Sequence, residues 1–216
     1  MIERKYYIFR VIISLIIGLP TLILHPYLYG LVQNIALTNF FMFSFISFIL
    51  IFLNYNLLVL HINRARTYKH NLKYIGNSFI SGMVILLFNH FIIKGFIPLI
   101  DSYIVSKYLF LTPLILITFS FSYIFSYTLL YKVLTDKIKF KSNNLLTIFG
   151  TCTIFCLLLG IVLPVNITNF INNFSLYFCL FLVISINYNH SHNLFSGMFG
   201  ISLSLLLFNI LTLISF

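Results

Sequence analysis

His190-x-His192 lies in NYNHSHNLFSGMFG, residues 187–200, one of the few polar stretches in a chain built mostly of Phe, Leu and Ile. Neutral imidazoles are good metal ligands, and His25, His61, His70 or His90 are available to complete a set. No carboxylate stands nearby in the sequence, and a His-x-His pair in a loop has no helix to fix its spacing. A metal at His190 and His192 is therefore the weaker expectation, and a polar interfacial turn the stronger. A second set carries amides: Asn54, Asn56, Asn77, Asn89 and Asn209, with His90 beside Asn89, all in or near apolar runs. An amide among hydrocarbon needs a partner. These side chains are expected to face the interior of a helix bundle, pairing between helices or touching a ligand. Ser122 joins them, because Thr118, Ser122 and Ser126 recur every fourth residue with Tyr123 and Tyr127 alongside. Ser78 and Gly82, and Ser196, Gly200 and Ser204, repeat the spacing. Small residues at that interval let helices approach closely. Packing is the plain expectation for them; a translocation path lined by hydroxyls is the sharper one.

Enzymatic chemistry finds few tools here. The only acids are Glu3, Asp101 and Asp136. Transfer from a metal-bound pyrophosphate needs clustered aspartates. Intramembrane metalloproteolysis needs a Glu with histidines at helical spacing, and serine hydrolysis a nucleophile elbow or a Gly-x-Ser with a partner His. None of these patterns is present in the sequence. Asp101 lies in PLIDSYIVSK between Lys94 and Lys107 and is expected to be solvated or interfacial rather than a proton relay. Cys152 and Cys156 share one helix face, and with Cys179 they are expected to be small apolar residues. No cofactor is implied, and an intramembrane enzyme is the least expected class.

The elements that must hold these residues follow from composition. Of 216 residues, 61% are hydrophobic and 7% charged, where a soluble domain carries about 25% charge. So little charge cannot cover a surface in water, so the solvent for most of the chain is expected to be lipid. The richness in Phe, Ile, Leu, Asn, Tyr and Lys, with Ala only at 36 and 65, is the bias of AT-rich coding sequence, as in a low-GC bacterium. The fold class expected is an all-α integral membrane protein, a polytopic bundle without a soluble domain. A spanning helix takes about 20 apolar residues. Qualifying runs are 11–30, 40–60, 75–93, 108–131, 145–165 and 194–216. A seventh, 171–186, is shorter and opens on Asn172 and Asn173, so the expectation is seven spans, with six as the alternative.

Basic residues orient the spans. With seven spans and a cytoplasmic N-terminus, the inner segments hold Arg4, Lys5 and Arg10; Arg64, Arg66, Lys69 and Lys73; and Lys132, Lys137, Lys139 and Lys141. That is eleven of the thirteen Lys and Arg, with only Lys94 and Lys107 outside. These clusters are expected to face the anionic cytoplasmic leaflet of a plasma membrane, not nucleic acid. The segments 166–173 and 187–193 carry no Lys or Arg, so the rule is silent there; a crossing seventh candidate leaves the C-terminus outside.

Motifs recur in order. Thr38-Asn39-Phe40, Asn54-Tyr55-Asn56, His70-Asn71-Leu72, Ser81-Gly82-Met83 and Leu87-Phe88-Asn89 match Thr168-Asn169-Phe170, Asn187-Tyr188-Asn189, His192-Asn193-Leu194, Ser196-Gly197-Met198 and Leu207-Phe208-Asn209. The offset drifts, so the order is that of a gapped duplication or of chance matches in a biased composition. A duplication would give two parallel three-helix halves about a connecting fourth span. The expected function is then a small permease-like or carrier-like transport component with a polar path between the halves. The alternative is a sensing or accessory protein that binds another membrane protein, or a second copy of itself, through small-residue helix faces.

Overall fold

In lipid a backbone has no water to bond, so a long apolar chain satisfies its N–H and C=O groups internally as helices. The structure, a computed structural model, describes residues 27–33, 35–67, 71–93, 113–114, 117–118, 122, 124–132, 145–162 and 167–214. Among them there is no strand, and these described residues are almost wholly helical. The elements are α1 (Ile35–Thr67), α2 (Asn71–Phe88) running on into a π-helical turn (Asn89–Ile93), α3 (Phe125–Lys132), α4 (Leu145–Val162), α5 (Ile167–Ser191) and α6 (Leu194–Ile214). Three stretches are long and apolar enough to cross a bilayer: Phe40–Asn63, Asn71–Ile92 and Leu194–Leu211. The run expected at 11–30 lies largely outside the described residues, and 108–131 is described only in parts.

Two sequence expectations are corrected. The seventh candidate, 171–186, is part of a 25-residue helix, Ile167–Ser191, which at 1.5 Å per residue is about 37 Å long. The turn expected over 187–193 shrinks to His192 and Asn193. Local chemistry accounts for this. His192 takes the left-handed conformation (φ 49°), and its N–H bonds the Tyr188 carbonyl at 2.8 Å, closing α5. Asn193 then caps α6, its Oδ1 accepting from the Phe195 N–H at 3.0 Å. Ser191 and Ser196 hydroxyls meet across the turn at 2.7 Å.

The α5–α6 hairpin is antiparallel, whereas α2 and α6 lie parallel. Gly200 of α6 faces Ser78 of α2, and Gly82 of α2 faces Ser204 of α6. A step of four residues forward on one helix is thus a step of four forward on the other. The register offset at both places is 122, the same as between His70-Asn71-Leu72 and His192-Asn193-Leu194. Contact is at backbone level: a Cβ on Gly200 would stand 2.6 Å from the Ile75 carbonyl oxygen and 2.9 Å from the Phe79 nitrogen. Helix α5 packs against both members of the pair, and α1 touches α6 more lightly. An aromatic core joins α3 and α4 to α5, with α3 also touching α6: Tyr127 stacks on Phe181 at 4.3 Å, and Phe155 meets both edge-on at 5.4 and 5.2 Å.

Helix α1 bends at Asn54, whose φ of −113° and ψ of 17° leave the helical region. Its side-chain amide donates to the Leu50 carbonyl at 3.0 Å, replacing a bond the bend disturbs.

The close approach gives an ordered expectation for alanine substitution. Gly200→Ala presses on backbone atoms that cannot rotate away and should cost about 1–3 kcal/mol. Gly82→Ala meets Ser204 and Ile201 side chains, which can adjust, and should cost less. Gly150→Ala has nothing within 4 Å and should be neutral or slightly stabilising. Thermal unfolding of the detergent-solubilised protein checks the order; Gly200→Ala as benign as Gly150→Ala would refute the backbone contact.

Candidate functional site

Most interior polar side chains are bonded to their own helix. Thr128, Thr151, Ser202 and Asn187 each donate to a carbonyl four residues back, at 2.7, 2.6, 2.6 and 3.1 Å. Asn209, one of the expected path residues, is buried and donates to the Leu205 carbonyl at 2.7 Å. Asn54 is committed to its bend. This back-bonding hides polarity inside a helix without requiring a partner on another element.

Asn89 departs from the pattern. It is 3% exposed, and neither its amide nitrogen nor its oxygen has a hydrogen-bond partner. It sits where α2 widens into the π-helical turn Asn89–Ile93, a geometry common at functional positions. Its neighbour His90 is half-buried and meets Phe208 of α6 edge-on at 5.7 Å. By the register of the helix pair, Asn89 is level with Leu211, so Asn89 and His90 lie within about one turn of Phe208 and Asn209, at the end of the bundle remote from the His192–Asn193 turn.

The other expected residues disperse. Ser122 is buried, ahead of α3. Asn56 is exposed and lines an open groove of about 500 Å³ on α1 with Phe48, Phe52 and Tyr55, so it does not face the interior. Asn77 is also exposed and lines a groove between α2 and α5. The cause is the same for both: helices apolar on nearly every side do not announce which face is inside. His190 is exposed at the end of α5, and His192 is exposed in the turn. Among the described residues no group of three or more His, Cys, Asp or Glu could hold a metal ion.

A set of phenols, not singled out by the residue pattern, joins three helices. Tyr127 Oη lies 3.0 Å from Cys152 Sγ and also bonds the Ser185 hydroxyl. One turn on, Tyr131 donates to Asn189 Oδ1 at 2.9 Å. Lys132 donates to the Tyr188 hydroxyl at 3.1 Å and lies 5.8 Å from that ring's centre. Tyr127 and Tyr131 are four residues apart, and so are Ser185 and Asn189. That matched spacing was a usable signal, obscured because a tyrosine in an apolar run reads as bulk. Among the described residues no carboxylate, imidazole or amine is bonded to Tyr127, Cys152 or Ser185, and the cluster holds α3 and α4 to α5 through its bonds. It also brings Lys132, from a basic cluster, to the α5–α6 turn.

No family model matches the chain, and comparison with curated proteins and with solved structures finds no match either.

The Tyr127 cluster predicts coupling. Tyr127→Phe leaves the Ser185 hydroxyl and the Cys152 thiol without this partner and should cost about 1–3 kcal/mol. Ser185→Ala added to Tyr127→Phe should then cost clearly less than it does alone, with a coupling above about 0.5 kcal/mol. A double-mutant cycle from denaturant unfolding measures it; strict additivity would contradict the bond.

Proposed function

We propose that the chain is a multi-pass plasma-membrane protein of seven spans, a small permease-like or carrier-like component whose ligand path runs between two three-helix halves. The parallel course of α2 and α6 supports seven. For both to run the same way, the chain between them must cross the bilayer an odd number of times, and our reading takes three crossings: the span ending in α3, then α4, then α5. Lys132 beside Tyr188 supports a cytoplasmic α5–α6 turn, on the side of the eleven basic residues. The N-terminus is then cytoplasmic and the C-terminus extracytoplasmic. The facing pairs Ser78–Gly200 and Gly82–Ser204, each residue opposite its counterpart 122 positions on, support a parallel duplication, because helices related by a two-fold axis between them contact at equivalent positions.

The observation that carries transport is Asn89. A buried amide with no bond costs about 1–3 kcal/mol relative to a satisfied one, and a fold retains such a group where a ligand or water completes it. The back-bonded residues leave Asn89, with His90, as the polar contact available at the outer end of the α2–α6 pair. The path involves no chemical step and no cofactor. The accessory-protein alternative loses support, because the small-residue faces on α2 and α6 are used against each other within the chain.

Two measurements test this. Asn89→Leu should raise the unfolding temperature, since it replaces an unsatisfied amide with an apolar side chain of similar size; a lowered temperature would make Asn89 a structural residue. Asn89→Cys, in a chain with Cys152, Cys156 and Cys179 replaced, should react with a membrane-impermeant maleimide in intact cells over minutes, whereas Leu86→Cys in the same background should not. Equal protection of both positions would close the path.

A further inference from the structure

Side chains that face lipid are normally apolar, because a polar group there has neither water nor protein to bond. The groove between α2 and α5 departs from this. It is open, has a volume of about 400 Å³, and is lined from α2 by Tyr74, Asn77, Ile80 and Ser81 and from α5 by Val183, Ile186, Asn187 and His190. Asn77, Ile80, Ile186 and His190 are exposed. Among the described residues, no hydrogen bond is made by the Tyr74 hydroxyl, the Asn77 amide, the Ser81 hydroxyl or the His190 ring.

The groove is graded along its length. The two helices run antiparallel, so Tyr74 and His190 mark the end next to the His192–Asn193 turn. Asn77 and Asn187 come next, and Ile80 and Val183 lie deeper. Lys73 is exposed one turn before Asn77, on the same face of α2. The unused groups are mainly hydrogen-bond donors: a phenol, an amide N–H₂, a hydroxyl, an imidazole N–H and a nearby ammonium. No Asp or Glu stands among the described residues. A donor-rich, carboxylate-free rim above an apolar floor matches an amphiphile whose head accepts hydrogen bonds and carries negative charge.

We propose that this groove binds one anionic glycerophospholipid of the inner leaflet. Lys73, Tyr74 and His190 hold the phosphate, Asn77 and Ser81 donate to the ester and glycerol oxygens, and an acyl chain lies along Ile80, Val183 and Ile186. The site rests on the membrane placement proposed above and is independent of whether the protein transports anything. It also assigns a role to His190 that requires no metal.

The test is native mass spectrometry of the full-length protein in detergent, titrated with phosphatidylglycerol or phosphatidylcholine. The wild type should retain one phosphatidylglycerol; phosphatidylcholine has the same phosphate but would set its quaternary ammonium beside Lys73, and should bind at least about tenfold more weakly. Asn77→Leu/His190→Leu should lose the adduct by a similar factor, while Thr153→Val, on α4, should keep it. Asn77 and His190 are both exposed, so the double variant should fold; a monodisperse elution profile confirms this. Equal binding of the two lipids by the wild type overturns the site, and so does an adduct unchanged in the double variant. Carbonate washing of membranes separates the two failures. A chain that washes off overturns the membrane placement and the lipid site together; a chain that stays, with unchanged adducts, overturns the lipid site alone.

Discussion

Helices α2 and α6 meet where Gly200 leaves no room for a β-carbon between itself and the backbone of α2. In a bilayer the hydrophobic effect does not distinguish a helix face against lipid from one against another helix, so association depends on close van der Waals fit and interhelical polar contact. Ser78 and Gly82 on one helix, and Gly200 and Ser204 on the other, supply that fit in a parallel register. The remaining arrangement depends on it. Helix α5 packs on the pair, its hairpin with α6 closed by His192 and Asn193. The pair ends in the π-helical turn that holds Asn89, and α3 and α4 attach to α5 through the Tyr127 cluster, α3 touching α6 as well.

A second constraint is that buried polar groups be satisfied within the chain, and many are satisfied here by bonds from side chains to carbonyls of their own helix. Those bonds tell helices nothing about one another. Specific contact between elements comes instead from a few groups that reach across: Tyr127 to Cys152 and Ser185, Tyr131 to Asn189, Lys132 to Tyr188, and Ser47 to the Thr118 carbonyl at 2.8 Å. Against this background the unbonded amide of Asn89 and the unused donors along the α2–α5 groove stand out. One is enclosed between helices and the other lines an open groove, so they suit ligands of different kinds.

Much of the helical framework was legible in the sequence, because continuous apolar runs with almost no charge have no other way to satisfy a backbone in lipid. The four-residue spacing of Ser78, Gly82, Gly200 and Ser204 pointed to close packing, whereas the drifting offsets of the repeated motifs did not single out the register, which equals that of His-Asn-Leu alone. The length of α5 was hidden by Asn172, Asn173 and Asn187–His190, which resemble loop ends by composition but are tolerated at the ends of a long helix. The facing of Asn56 and Asn77 was hidden because their helices are apolar nearly all round, leaving no periodicity to distinguish inside from outside. The phenol cluster was hidden because its partners come from segments 25 and 58 residues away, a separation that no local pattern records.

The central claim is that α2 and α6 run in the same direction, in register. Double electron–electron resonance between spin labels on exposed positions tests it directly, in a chain with the native cysteines replaced. Labels at Leu72 and His192, and separately at Phe91 and Leu211, should lie roughly 15–25 Å apart, as expected for neighbouring helices with axes about 8–10 Å apart plus two label arms. Labels at Leu72 and Leu211 should lie roughly 30 Å apart, the rise over seventeen or so residues plus the lateral offset. A short Leu72–Leu211 distance together with long distances for the other two pairs would mean an antiparallel pair and would contradict the account.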